Sequence, residues 1–218
     1  MRVIVTGATG MVGEGVLFEC INNPKVSEIL IVGRKKYETQ NPKVKQLLVS
    51  DFLKTGDFLA QLKGYDACFF CAGISSVGLN EEKYTLITYD VTLAFGKAAR
   101  EANPDMVFVY VSGRGTDSTE KGKTMWARVK GKTENDLQKI GFKAVYNFRP
   151  ALMIPFQGQI SVKPVFNVMA KVLKYVMPKA TLTLSQVGKA MINAAGTGYA
   201  KTVLEVADIR AAAEKANG

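Results

Sequence analysis

The chain has 218 residues, 47% of them hydrophobic and 22% charged, a balance that excludes disorder and suffices for one domain with a substantial core. No apolar stretch reaches the ~18 to 20 residues a bilayer-spanning helix needs, and the opening residues do not read as a secretory leader. A cytoplasmic protein without a transmembrane segment is therefore expected. The lack of histidine excludes Ser-His-Asp and Cys-His catalysis, histidine-ligated zinc and a histidine pH switch, and no metal site is read.

In chain order, an apolar strand over Val3–Thr6 runs into the glycine-rich turn Gly7-Ala8-Thr9-Gly10-Met11-Val12-Gly13, which opens a helix over Met11–Ile21. Further strands are predicted over Ile29–Val32, Leu47–Val49, Ala67–Cys71, Val107–Ser112 and Ala144–Phe148, with helices over Glu81–Ala102 and Thr124–Ile140. After Pro150 the rhythm changes. A loop over Ala151–Pro164 and a helix over Val165–Met177 lead to a helix over Ser185–Ala195, a short strand over Val203–Val206 and a terminal helix from Ile209. Strands alternating with helices imply right-handed crossovers and a parallel sheet buried on both faces. The predicted fold class is α/β, a doubly wound Rossmann sheet in three α/β/α layers, with one domain over 1–218 and a small substrate-side cap over 151–202.

The glycine turn carries the chemistry. Gly7 permits a sharp exit from the strand, Gly10 lets backbone N–H groups approach a pyrophosphate, and Gly13 permits close helix packing; Thr9, Met11 and Val12 complete the phosphate loop. About twenty residues on, where an acid would hold the ribose 2′-hydroxyl of NAD, the sequence reads Gly33-Arg34-Lys35. Arg34, helped by Lys35, suits a 2′-phosphate, which favours NADP over NAD. Asp51 and Phe52 are placed beside the adenine, and Cys71-Ala72-Gly73 at the end of a strand over the cofactor cleft. Cys68 and Cys71 stand three apart on that strand and point to opposite faces, so they read as core thiols and not as a redox pair.

Charge is uneven. Met1 to Val109 holds 12 Lys+Arg and 12 Asp+Glu, whereas Tyr110 to Gly218 holds 17 and 7, which accounts for the net +10. A small-molecule substrate of anionic character is the partner this suggests, with Arg114, Lys121 and Lys123 as candidate holders. Nucleic acid is not expected, because the lysines are not interleaved with aromatics.

Thr6 to Gly13, Cys71-Ala72-Gly73, Val109-Tyr110-Val111-Ser112, Val129-Lys130-Gly131 with Glu134, and Arg149-Pro150 together resemble the short-chain dehydrogenase/reductase superfamily. The likeness is to its atypical branch of small NAD(P)-binding, epimerase-like or NmrA-like proteins, and it covers the chain to about Pro150. It implies a catalytic serine at Ser112 and a lysine at Lys130 that also holds the nicotinamide ribose. Trp126 stands at the tyrosine position. An indole N–H donates a hydrogen bond but does not ionise near neutral pH, so it cannot relay a proton. Tyr110, Tyr84, Tyr89 and Lys130 itself are the candidate replacements, and Glu134 could instead simply pair with Lys130. The resulting expectation is an NADP-dependent oxidoreductase on a small carbonyl substrate. Its alternatives are a catalytically silent NADP-binding redox sensor or scaffold and, last, a sugar-nucleotide epimerase.

Overall fold

A computed structural model describes residues 1–162 and 177–214; the helix predicted over Val165–Met177 falls, all but Met177, on the segment outside them. The first half runs β1 (Arg2–Thr6), α1 (Met11–Asn22), β2 (Glu28–Gly33), β3 (Val44–Leu48), β4 (Ala67–Phe70), α2 (Glu81–Thr85) and α3 (Val91–Ala102). The second runs β5 (Val107–Val111), α4 (Met125–Leu137), β6 (Ala144–Arg149), β7 (Leu152–Ile154), β8 (Thr181–Thr183), α5 (Leu184–Thr197), β9 (Val203–Glu205) and α6 (Val206–Glu214). Seven strands form one parallel sheet in the order β3-β2-β1-β4-β5-β6-β9. The order reverses direction between β1 and β4, which opens the crevice where a doubly wound sheet binds ligands.

Side-chain alternation along each strand separates two cores, as the period of two requires. Val3 and Val5 of β1 and Val107 and Val109 of β5 join the core beneath α1, α5 and α6. Ile4, Phe108 and Tyr110 join the other, with Phe95 of α3 and Leu137 of α4. Cys68 lies in the second core while Cys71 packs against the first, so the two thiols face opposite ways. Helix α5, inside the stretch read as a cap, supplies Val187, Ala190 and Met191 to the core under α1.

Three expectations need correcting. Strand β3 begins at Val44, earlier than predicted, because this edge strand carries the exposed Lys45 and the half-buried Gln46, polar residues that an apolar-run reading passes over. The helix predicted over Glu81–Ala102 contains a wider π-type turn over Leu86–Asp90. The loop predicted over Ala151–Pro164 contains β7, which pairs in parallel with β8 through Leu152↔Thr181 and Ile154↔Thr183. Three-residue strands are too short to show a period, and this one finds its partner 29 positions along.

Candidate functional site

The site begins where β1 meets α1. Gly7 has a φ of 72°, and a Cβ on it would stand 2.7 Å from the Ala72 amide nitrogen and the Cys71 carbonyl oxygen. A Cβ on Gly13 would fall 2.2 Å from the Gly7 carbonyl oxygen. Both positions therefore require glycine for the turn to close. The exposed Gly10 is the N-cap residue of α1 and provides no side-chain cap. Its N–H bonds to Gly7 (2.9 Å), and its carbonyl receives the Glu14 N–H (2.9 Å). The first helical amides, of Met11, Val12 and Gly13, precede the intrahelical ladder and carry the positive end of the helix dipole. Behind them, the Thr6 hydroxyl oxygen accepts from the amides of Cys71 and Ala72 at 3.1 Å each, which fixes the end of β4 beside the turn.

Two hollows meet at that strand end. A groove of 270 Å³ is lined by Gly7, Thr9, Gly10, Arg34, Lys35 and Phe52, and by Cys71, Ala72 and Gly73. The last three residues also line a cavity of 770 Å³ with Val12, Ser112, Arg114, Lys130, Leu152 and Met153. The structure thus brings together the glycine turn, Arg34 and Lys35 at one end and Ser112 and Lys130 at the other. Arg34 and Lys35 are exposed and have no side-chain partner among the described residues.

Several expected residues lie elsewhere. Asp51 does not line the groove; its carboxylate accepts from the Leu53 amide (2.9 Å) and closes a local turn. Met11 lines neither hollow, and its carbonyl accepts from the Gln159 side-chain amide (2.7 Å). Lys121 and Lys123 are exposed outside the cavity, whereas Arg114 of the same loop lines it. Trp126 does not line the cavity either; its six-membered ring stands beside Gly115, where an added Cβ would lie 3.5 Å away. Of the tyrosines considered as replacements, Tyr110 and Tyr84 are buried, with their phenols pushed up chiefly by burial. Tyr89 donates to Asp136 of α4 (2.8 Å), and burial, together with that bond, raises its pKa.

Ser112 and Lys130 are wired differently from the simplest reading. The Ser112 hydroxyl donates to the Glu134 carboxylate and also lies 3.1 Å from the Phe148 carbonyl. Glu134, 2% exposed, is ion-paired with Arg149, 11% exposed, and also accepts from Arg149 Nε at 3.0 Å. Glu134 is therefore not the partner of Lys130. The half-buried Lys130 ammonium donates to the Ser112 carbonyl oxygen. Burial lowers its pKa to about 8, with the nearby Glu134 charge pulling the other way. A hydroxyl has one proton; with that proton on Glu134, Ser112 offers the cavity lone pairs.

Sequence reasoning missed Glu14. This fully buried carboxylate accepts from the Tyr37 hydroxyl (3.0 Å) and from the amides of Ile160 and Ser161 (2.9 Å each). Burial acts to raise its pKa, but these hydrogen bonds outweigh that and lower it. An acid in a first helical turn reads as a dipole partner, so only its lack of exposure reveals the further task.

The profile of the NAD dependent epimerase/dehydratase family matches residues 3–133, which include the glycine turn, Ser112 and Lys130. The chain belongs to that family. Its relatives include protein fmp52 of Emericella nidulans, 30% identical over 159 residues covering 70% of this chain and 66% of the relative. Protein HTATIP2 of Rattus norvegicus is 26% identical over 155 residues, covering 70% of this chain and 62% of the relative. The chain thus spans a little under two thirds of the length of these relatives. Among solved structures, DesIV, a dTDP-glucose 4,6-dehydratase from Streptomyces venezuelae with NAD and TYD bound, superposes with a TM-score of 0.70. That match is 16% identical and covers 94% of this chain and 75% of the other, and it confirms the Rossmann fold. The protein is an atypical short-chain dehydrogenase/reductase-type protein whose cofactor class is a nicotinamide dinucleotide.

One expectation is overturned by these relatives. The fmp52 proteins of Emericella nidulans, Candida albicans and Meyerozyma guilliermondii are named as mitochondrial, which contradicts the cytoplasmic placement. Free cysteines fit every reducing compartment, so they could not separate one from another. Among the described residues no helix is long and apolar enough to cross a membrane.

Proposed function

We propose that the protein is an NADP-dependent oxidoreductase acting on a small, anionic carbonyl compound, with residues 151–202 capping the substrate side of a single domain over 1–218. The observation that carries this reading is the lining of the joined cleft. Arg34 and Lys35 stand at one end and Arg114 and Lys130 at the other, and no carboxylate lines either part among the described residues. Unopposed cations select anions.

The residues fit the cofactor. The Gly7 and Gly13 contacts leave no room for side chains in the turn, and the first amides of α1 suit a diphosphate. Arg34, with Lys35, suits a 2′-phosphate, with Thr9, Phe52 and the Cys71-Ala72-Gly73 wall flanking the nucleotide. When bound in its reduced form, the cofactor supplies the hydride. At the other end Lys130 holds the nicotinamide ribose, Arg114 pairs with the substrate anion, and Val12, Leu152 and Met153 exclude water from its apolar part. Purified protein incubated with NADPH and a panel of 2-oxo and 3-oxo acids, followed by loss of NADPH absorbance, tests the reading. Turnover of acids in preference to neutral ketones is expected, and no turnover across the panel overturns it.

A second reading rests on Trp126, which removes the usual proton relay: a redox sensor or scaffold that binds NADP without turning it over. A partner whose affinity changes with cofactor occupancy, in the absence of any steady-state rate, would favour it. Sugar-nucleotide epimerisation ranks last, since it calls for the same missing acid/base.

A further inference from the structure

Resting on the oxidoreductase reading, we infer that Lys130 is itself the acid/base of the site, giving an ammonium proton to the substrate's carbonyl oxygen where a tyrosine would otherwise act. The argument proceeds by elimination within the 770 Å³ cavity, whose lining holds three ionisable side chains among the described residues, Cys71, Arg114 and Lys130. A guanidinium does not release a proton in a protein, so Arg114 can hold charge but not relay it. Burial pushes the Cys71 thiol up to about 12, which makes it a poor acid at neutral pH. Ser112 has committed its proton to Glu134, and none of Tyr84, Tyr89 and Tyr110 lines the cavity.

Lys130 remains. One of its three N–H bonds goes to the Ser112 carbonyl, and the others are available to a ligand. Its pKa of about 8, set by burial against the raising influence of Glu134, lies near working pH, where general acids are most effective. The groups around it are Glu134 of α4, already bound to Arg149 of β6, with Arg114 after β5 and Cys71 at the end of β4; α1 presents the neutral Val12.

The step balances. With a bound reduced nicotinamide the carbonyl carbon would receive its hydride, and the C=O π pair would move onto oxygen. One Lys130 N–H bond breaks as the O–H bond forms, leaving an alcohol, the oxidised cofactor and a neutral amine that regains a proton from water. Lys130 has to be charged for reduction, so kcat/KM for carbonyl reduction should be flat below the Lys130 pKa and fall as pH rises through about 8.

Two measurements on the full chain test the inference. The first needs no substrate: Lys130 is labelled with acetic anhydride across a pH series and its peptide followed by mass spectrometry. A labelling midpoint near 8 is expected, and a midpoint with the ordinary lysines near ~10.4 overturns it. The second compares wild type with Lys130→Arg, which keeps the cation but cannot release a proton. NADPH binding by calorimetry should persist, weakened at the ribose contact, while kcat at saturating NADPH falls ~10² to 10⁴-fold. Whatever turnover remains in Lys130→Arg should no longer fall as pH rises through about 8, a loss of pH dependence that a merely structural lysine would not produce. Turnover that survives Lys130→Arg overturns the proton role alone, whereas NADPH that binds with no carbonyl turned over by wild type overturns the oxidoreductase reading and this inference with it.

Discussion

The two ends of the cleft are built by different means. At the α1 end the phosphate turn is made largely of backbone, with two glycines that cannot accept a Cβ, three helical amides and a threonine hydroxyl that pins the neighbouring strand, and Arg34 and Lys35 stand beside it. The end at α4 is made of charged side chains in series, with Arg149 holding Glu134, Glu134 holding Ser112, and Lys130 holding the Ser112 carbonyl. A backbone site is specified by what its residues lack, and a handful of glycines can encode it locally. A side-chain network is specified by pairings between distant elements, and changing one member redirects the rest.

Four substitutions break or sharpen that contrast. Gly13→Val should act most severely, since its Cβ would meet the Gly7 carbonyl at 2.2 Å. Calorimetry should detect no NADPH binding, and a glycine turn that tolerates valine would mean the backbone end is softer than described. Glu134→Ala leaves the Arg149 guanidinium buried without its main partner and should cost about 3–5 kcal/mol of stability, measured by urea unfolding; a change within experimental scatter would show the network to be dispensable.

Arg34→Ala should weaken NADPH binding by about 10 to 100-fold, or about 1.4–2.8 kcal/mol, while leaving NADH nearly untouched. Equal losses for the two cofactors would remove Arg34 from the 2′-phosphate. The smallest effect is expected from Glu14→Gln, about 1–2 kcal/mol from hydrogen bonds weakened by loss of the charge. Because hydrogen bonding holds the Glu14 carboxyl below its ordinary value of 4.5, its contribution is full above that value and is lost as pH falls through the lower folded one. Thermal melts should therefore show the wild type losing its margin over Glu14→Gln in acid, and parallel pH curves would contradict the assignment.

What could be read from the sequence follows the same division. The Gly7 to Gly13 turn, the apolar strands and the order of elements were legible because each rests on neighbours in sequence, and the groove around Arg34 and Lys35 followed from them. Ser112 and Lys130 were placed in one cavity by resemblance, but their partners were not foreseen. Glu134 lies four residues from Lys130 on α4, so helical spacing pairs them. Its actual partner sits on β6, and the gain from pairing a buried guanidinium with a buried carboxylate is visible only once both are inside. Asp51 misled for the opposite reason, since an aspartate after a strand can serve its own turn as readily as a ligand.

The Glu14 carboxylate sits directly behind the phosphate loop, gripping Tyr37 on one side and the strap at Ile160 and Ser161 on the other. It works as a rivet through three layers of chain. The stretch that follows Arg34 and the stretch that leads away from β7 are consequently both fastened to one side chain of α1, and the second is held there again by the bond from Gln159 to the Met11 carbonyl.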